Sequence, residues 1–554
     1  MKRMITIALL MITIALLMCM SVMAFAGNFP EKVKPTKNVI IMVPDGTSNG
    51  VLSAARWYQR YVTDVNYDLN LSDYICGLVE TSSSNSPMSC SAAAMSTVMT
   101  GVSSKASYIS VYPHLDPEQD IYKLDGARVY QPLVTAMEAG RLTKGKSTGL
   151  VVTTKYYHAT PAACVAHTDD RNDSRIITYQ MASSGLDLVF GSGNKRINDE
   201  AKKIFEEQGI DYIKNDIEAF RNYKGDKVWA LFAESDMSYD IDRDPSKEPS
   251  LEEMTRKAIE LLSRDKDGFV LMVEGSQVDF AAHATDPAGI VSEFLAFDRA
   301  VGAAMDFAKK DGNTTVVVLP DHGTSGVTLG KFGYSKGYRK GLDKAYGEMK
   351  NFKASADRLT ELLRDCKPEE IRPIFKEWTG LDLTDKEYDS LVKNQKKEEG
   401  HYMEVVDSEN LFKAIANIMS DHAAFGYSSG SHTAEDVFLA AYHPKGQVPT
   451  GIVTNVQVNQ YICKALGLKK SLLELSDEYF VDHTKVFAGM DCKLVEDKDC
   501  PKLIVNHEGK EIVIPGWRSY FECDGKRYEL PVQAVYMKAD GKFYVPKDIL
   551  SRIK

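Results

Sequence analysis

The segment Glu274-Gly275-Ser276-Gln277-Val278-Asp279-Phe280-Ala281-Ala282-His283 sets an aspartate and a histidine four positions apart. On a helix both leave one face and can chelate a single cation. Imidazole nitrogen together with carboxylate oxygen favours zinc, which binds either at about 2.0–2.2 Å. An isolated pair of this spacing is more commonly a solvated surface pair, so the pattern gains weight only from its company. Two further histidines supply some, His322 in Asp321-His322-Gly323 and His432 in Gly430-Ser431-His432. His114, His401, His443, His483 and His507 read instead as solvent-facing.

A second chemistry is written in Ser89-Cys90-Ser91-Ala92-Ala93-Ala94-Met95-Ser96-Thr97-Val98-Met99-Thr100-Gly101. Small residues after Ser91 make a helix whose start can lie close to a ligand, and the free N–H groups there attract an anion. Taken alone, Ser91 is more simply an N-capping serine. Carboxylates, histidines and an arginine in the same chain shift that balance toward a nucleophile.

Those side chains need elements to gather them. Four runs, beginning at Asn38, Thr148, Phe269 and Thr314, are too continuously apolar for half-solvated strands and read as central strands of a parallel sheet. Ligands of such sheets bind beyond the carboxyl ends of the strands. Asp45 follows the first run, Glu274 the third, Asp321 and His322 the fourth, and the second leads toward His158 and Thr160. Any one of these, Thr160 before Pro161 included, is ordinarily a turn or cap residue. Stretches such as 251–263 and 290–309 have the apolar spacing of cover helices. The expected fold is therefore α/β, a large mostly parallel central sheet with helices on both faces. A Lys- and Glu-rich helical insertion is expected over about 336–426, its clearest helices at 356–363 and 410–419. From 484 to 554 the pattern turns to hairpins, with turns at Asn506-His507-Glu508-Gly509, Cys523-Asp524-Gly525 and Ala539-Asp540-Gly541, and predicts a small β-rich module.

Composition bounds the rest. The chain has 554 residues, 67 Lys+Arg against 77 Asp+Glu, and 44% apolar residues, which excludes disordered and disulfide-dense small scaffolds. A net charge of −10 without a basic run argues against docking to nucleic acid. Residues 1–26 start with Lys2-Arg3, continue through an apolar stretch and end in Ala24-Phe25-Ala26, the pattern of a cleaved export signal. Export to the periplasm or the extracellular space follows, leaving the main domain at 27–483. An exported chain permits disulfides; Cys492 with Cys500 is the favoured pair, whereas Cys164 reads as a buried thiol.

Set in order, Asp45, Ser91-Ala92-Ala93, His158-Ala159-Thr160-Pro161 with Arg171, Glu274-Gly275 with Asp279 and His283, Asp321-His322 and Gly430-Ser431-His432 resemble the motifs of alkaline phosphatases. The resemblance runs from about Lys37 to Leu466. It implies an alkaline phosphatase-like fold and a three-metal site: Asp279, His283 and His432 on one zinc; Asp45, Asp321 and His322 on a second, completed by Ser91; Asp45, Thr160 and Glu274 on a third cation, usually magnesium. His158 is a neighbour of that third site, and its presence leaves the metal there less fixed. Arg171 is implied as the planar fork that grips phosphate, with Arg175 as the fallback.

A serine hydroxyl is a weak nucleophile, but a coordinating dication stabilises its alkoxide without a neighbouring base. The implied reaction is hydrolysis of phosphate monoesters through a phosphoseryl intermediate on Ser91. One departure concerns Cys90, which stands where many members carry an aspartate that helps hold the arginine. Arg171 is therefore expected to be looser, or held by Asp169, Asp170 or Asp173. Cys90 itself suits either an exposed thiol or a small buried apolar role. Two other readings stand beside the main one, a related two-metal phosphodiesterase or phosphotransferase, and a non-catalytic exported phosphate-binding protein. The insertion is compatible with covering the site, with a homodimer contact or with plain solvated surface, and the β module with cell-surface attachment.

Overall fold

Val39, Ile40, Ile41, Met42 and Val43 are all completely buried, and each contributes about 1.5–3 kcal/mol by leaving water. A strand so covered on both faces belongs in the middle of a sheet. In the computed structural model, which describes residues 29–332, 341–396 and 410–553, that is where it lies. The expected export signal, 1–26, and His401 fall outside the described residues.

The sheet has ten strands: β1 (Asn38–Pro44), β2 (Ile75–Glu80), β3 (Ser147–Lys155), β4 (Leu188–Ser192), β5 (Asp211–Lys214), β6 (Val228–Leu231), β7 (Phe269–Gly275), β8 (Thr314–Val318), β9 (Val437–Tyr442) and β10 (Gly451–Thr454). Their spatial order is β10-β2-β9-β8-β1-β7-β3-β4-β6-β5. The four strands expected from the apolar runs form the contiguous centre, β8-β1-β7-β3, all parallel. Only β9 runs antiparallel, to both β8 and β2. Helices Leu251–Leu262 and Pro287–Asp311 cover one face, and Ser91–Thr100 and Asn455–Leu466 contribute to the core on the other.

The insertion is not simply a solvated surface. Its helices Ala356–Arg364, Pro368–Thr379, Asp385–Asn394 and Leu411–Asp421 bury Leu359, Leu363, Ile371, Phe375, Leu391, Ile415 and Met419 in the same apolar cluster as the sheet's cover helices. The amphipathic spacing that gives a helix a charged outer face also gives it this inner one. Two short antiparallel ladders close its base: Thr328–Leu329 with Phe425–Gly426, and Gly323–Thr324 with His432–Thr433.

Beyond the sheet domain, Asp491–Val495, Lys502–His507, Lys510–Pro515, Tyr520–Cys523 and Lys526–Glu529 make a five-stranded antiparallel sheet. The turn expected at 506–509 is tight, with Glu508 and Gly509 both at positive φ, as a two-residue hairpin loop requires. A second small sheet pairs Lys542–Val545 with Val535–Met537 and with Val481–Asp482, so the β-rich region starts slightly before 484. It has its own core around Leu503, Val505, Ile514, Phe521 and Phe543, while Trp517, Val532 and Val535 join the core of the main domain.

Among the described residues every cysteine is a free thiol, so the expected Cys492–Cys500 bridge is not formed. Cys492 is exposed on a strand facing Val505 across the ladder. Cys164 is fully buried, as expected, and burial pushes its thiol pKa well up. His443 was expected in solvent but is buried, donating from Nε2 to the Lys34 carbonyl at 2.9 Å.

Candidate active site

The carboxyl ends of the four central strands deliver the acidic residues to one place. Val43 is in register with Glu274, and Glu274 with Val152, so Asp45, Glu274 and the chain after β3 emerge side by side. The backbone after β1 turns through Gly46, whose N–H donates to Asp321 Oδ1 at 3.0 Å. The helix Gln277–Ala284 begins directly after β7 and carries Asp279 and His283 one turn apart. His432 arrives from the far end of the insertion because its strand pairs with Thr324.

Three groups of donor atoms result, within each of which the atoms lie no more than 4.8 Å apart: Asp279, His283 and His432; Asp45, Asp321 and His322; and Asp45, His158 and Glu274. Thr160, expected with the third group, donates from Oγ1 to Asp45 Oδ2 at 3.3 Å. The histidines are aimed by their other nitrogens: His283 Nδ1 donates to the Gly430 carbonyl at 2.7 Å and His432 Nδ1 to the Ser89 carbonyl at 2.9 Å. Both bonds fix the tautomer and turn Nε2 inward. Thr324 Oγ1 donates to Asp279 Oδ1 at 2.6 Å, orienting that carboxylate as well.

Electrostatically the cluster is unfinished without cations. Asp45 Oδ1, both carboxylate oxygens of Glu274 and Asp321 Oδ2 are buried and accept no hydrogen bond, whereas buried carboxylates are normally paired or bound to metal. Burial pushes Glu274 up to about 8 and Asp321 up to about 6, and Asp45 rises through burial and the neighbouring carboxylates of Asp321, Asp279 and Glu274. Asp279 goes the other way: burial would raise it, but His283, His432 and His322 together hold it below the usual carboxylate range. Burial depresses His322 and His432 to about 4, so both imidazoles are neutral donors at ordinary pH. The donor chemistry fits cations, nitrogen-rich in the first group and oxygen-rich in the third.

Ser91 opens the helix Ser91–Thr100 with its side chain buried, and its Oγ lies 3.2 Å from His322 Nε2. No side chain caps this helix start, since the residue at the cap is Cys90, itself half-buried against the core behind it. In front lies a cavity of about 470 Å³ lined by Ser91, His158, Arg171, Asp279 and His432. Across it the Arg171 guanidinium contacts His158 Nε2 at 3.2 Å. His158 can accept there because burial, with Arg171 and Lys155 beside it, pushes its pKa down to about 3.

Of the two expected alternatives the structure takes the looser one: among the described residues none of Asp169, Asp170 and Asp173 pairs with Arg171. Asp170 accepts from the Asn172 amide, and Asp173 caps the helix Ser174–Ser183 and pairs with Lys538. Nor is Arg175 a second clamp; it is bound to Asp499 at 2.8 Å. Sequence reading missed Lys155 and Arg196, which also line the cavity, and Asp236, which pairs with Lys155 at 2.9 Å. Their only signal was charge at strand ends and in loops, which is what solvated surface looks like too.

The chain is similar to known proteins in sequence and in fold. The family model for alkaline phosphatase matches residues 36–468. Alkaline phosphatase 3 of Bacillus subtilis is 32% identical over 444 residues, covering 78% of this chain and 89% of the relative. The repressible alkaline phosphatase of Saccharomyces cerevisiae is 28% identical over 529 residues, covering 86% and 88%. Of solved structures, Thermus thermophilus alkaline phosphatase aligns with a TM-score of 0.69 at 25% identity, over 81% of this chain and 97% of that one.

Proposed function

The chain belongs to the alkaline phosphatase family, and from that premise we propose that Ser91 is phosphorylated and dephosphorylated in turn as a phosphate monoester is hydrolysed to an alcohol and inorganic phosphate. The observation that carries this reading is the position of Ser91 Oγ, buried at a helix start, 3.2 Å from His322 Nε2 and on the wall of the cavity that Arg171 also lines. Bound cations would neutralise the carboxylates, favour the Ser91 alkoxide and withdraw charge from the leaving oxygen. Asp279, His283 and His432 would hold the first and Asp45, Asp321 and His322 the second, both zinc by donor type. Asp45, Thr160 and Glu274 would hold the third, magnesium by its oxygen donors, and His158 would widen that choice only by giving up its contact with Arg171.

The remaining work belongs to the protein's own groups. Arg171 offers its planar fork to two phosphate oxygens, orienting phosphorus toward Ser91. Ser91 Oγ attacks in line; its bond to phosphorus forms as the bond to the ester oxygen breaks, and the alcohol leaves with a proton. Water then attacks phosphorus, Oγ departs and takes back a proton, and phosphate is released. Small phosphate esters met outside the cytoplasm, after export through the 1–26 leader, complete the proposal.

Purified mature protein should contain bound zinc and magnesium, hydrolyse an aryl phosphate monoester much faster than the matching diester, and lose that activity to a chelator. A preference for the diester would instead favour the phosphodiesterase reading.

A further inference from the structure

Arg171 reaches into the cavity with no carboxylate to hold it: among the described residues none lies within ion-pair distance of its guanidinium, and the side-chain contact it makes is to His158 Nε2 at 3.2 Å. Its placement therefore depends on the backbone that carries it. From the inside that backbone is fixed by the Arg171 N–H donating to the Ser107 carbonyl at 2.9 Å and by a bridge between Ile109 and Thr168. From the outside it is fixed by residues beyond 468, where the family match ends.

Those outer links are specific. Lys538 Nζ meets Asp173 Oδ2 at 2.8 Å, two residues after Arg171. Arg175 is bound by Asp499 Oδ1 at 2.8 Å and also donates to the Lys498 carbonyl. Tyr179 OH donates to the same Asp499 oxygen at 3.4 Å. Deeper in, buried Gln533 donates from Nε2 to the Val165 carbonyl at 3.0 Å, and Ser183 donates to the Trp517 carbonyl at 2.9 Å. Separate exposed ion pairs are weak, but several anchors along 165–183, on the loop that carries Arg171 and on the helix Ser174–Ser183 that follows it, two of them buried, restrict that segment together.

We propose that the C-terminal β module is a brace for the phosphate-gripping arginine, with Lys538 and Asp499 as positioning residues for Arg171. This rests on Arg171 being the phosphate grip. The module thus tunes phosphate affinity from outside the pocket, touching neither substrate nor metal ligands.

The test uses the full, metal-loaded enzyme carrying Lys538→Ala, Asp499→Asn and both together, with Arg171→Ala as reference. KM for an aryl phosphate and the inhibition constant of inorganic phosphate should rise together, by roughly threefold to tenfold in the double variant, with kcat within about twofold of wild type. Lys538→Arg should restore wild-type values. Asp173→Asn, which keeps the helix cap through its amide oxygen and loses the charge facing Lys538, should match Lys538→Ala. In an Arg171→Ala background the module substitutions should add nothing to phosphate inhibition, the non-additivity of residues acting through one group. Unchanged phosphate inhibition in the double variant, while Arg171→Ala weakens it, would overturn the brace. Unchanged inhibition in Arg171→Ala itself would instead remove the reading of Arg171 on which the brace rests.

Discussion

At Gly46 the backbone turns at φ +61°, and a Cβ added there would stand 2.1 Å from Asp279 Oδ1. Only glycine lets the chain leaving β1 pass so close to a carboxylate carried by the helix Gln277–Ala284. Gly46→Ala should therefore cost about 1–3 kcal/mol of stability and reduce bound zinc, read by denaturant titration and metal analysis; an unchanged midpoint with full metal content would contradict the packing. At this scale the sequence was most informative where chemistry demands particular residue types. Asp45, Asp321 and His322 could be picked out because they follow apolar runs, Asp279 and His283 because they stand four apart, and Ser91 and His432 because the order of motifs resembles that of a family. Thr324, which orients Asp279 at 2.6 Å, could not, because a threonine in a two-residue strand signals nothing by type. Neither could the diversion of Arg175, whose partner Asp499 lies 324 positions along the chain.

Elements were legible in proportion to how much apolar surface they bury. The four central strands appear in the sequence as unbroken runs because both faces are covered, whereas β5 and β6, of four residues each, are too short to stand out. The long cover helix Pro287–Asp311 hides a different feature, the buried carboxyl of Glu293, which accepts from the Asp240 amide at 2.5 Å. Burial, then the nearby Asp240 carboxylate, push its pKa up to about 8. A folded-state value above the unfolded one means that the neutral form is favoured in the fold. Its contribution is fully present below about pH 4.5 and is lost as pH rises toward about 8, by at most about 5 kcal/mol. Glu293→Gln keeps an acceptor and removes the charge, so it should flatten the fall in stability across that window and be the more stable protein at pH 8. Parallel pH profiles of denaturation for the two proteins would rule this out.

For the molecule as a whole, a sheet end crowded with carboxylates is a standing electrostatic cost that bound cations remove. Glu274 and Asp321, raised to about 8 and about 6 without metal, both favour the neutral form in the metal-free fold. Chelated protein should lose stability as pH rises through those values, while the metal-bound form, which needs the carboxylates ionised, should not. The gap in melting temperature between loaded and chelated protein should widen between about pH 5 and about pH 8.5; a constant gap would contradict it. The docking of the β module on the Arg171 loop was the least legible feature, because it is built from ordinary surface charges whose partners only the fold reveals. The central claim is that Ser91 carries the phosphoryl group. Mixing the metal-loaded enzyme with a phosphate monoester, quenching in acid and mapping the labelled peptide tests it most directly. Phosphoserine should be found at Ser91 and vanish in Ser91→Ala. A phosphorylated residue elsewhere, or turnover in Ser91→Ala at the wild-type rate, would contradict the account.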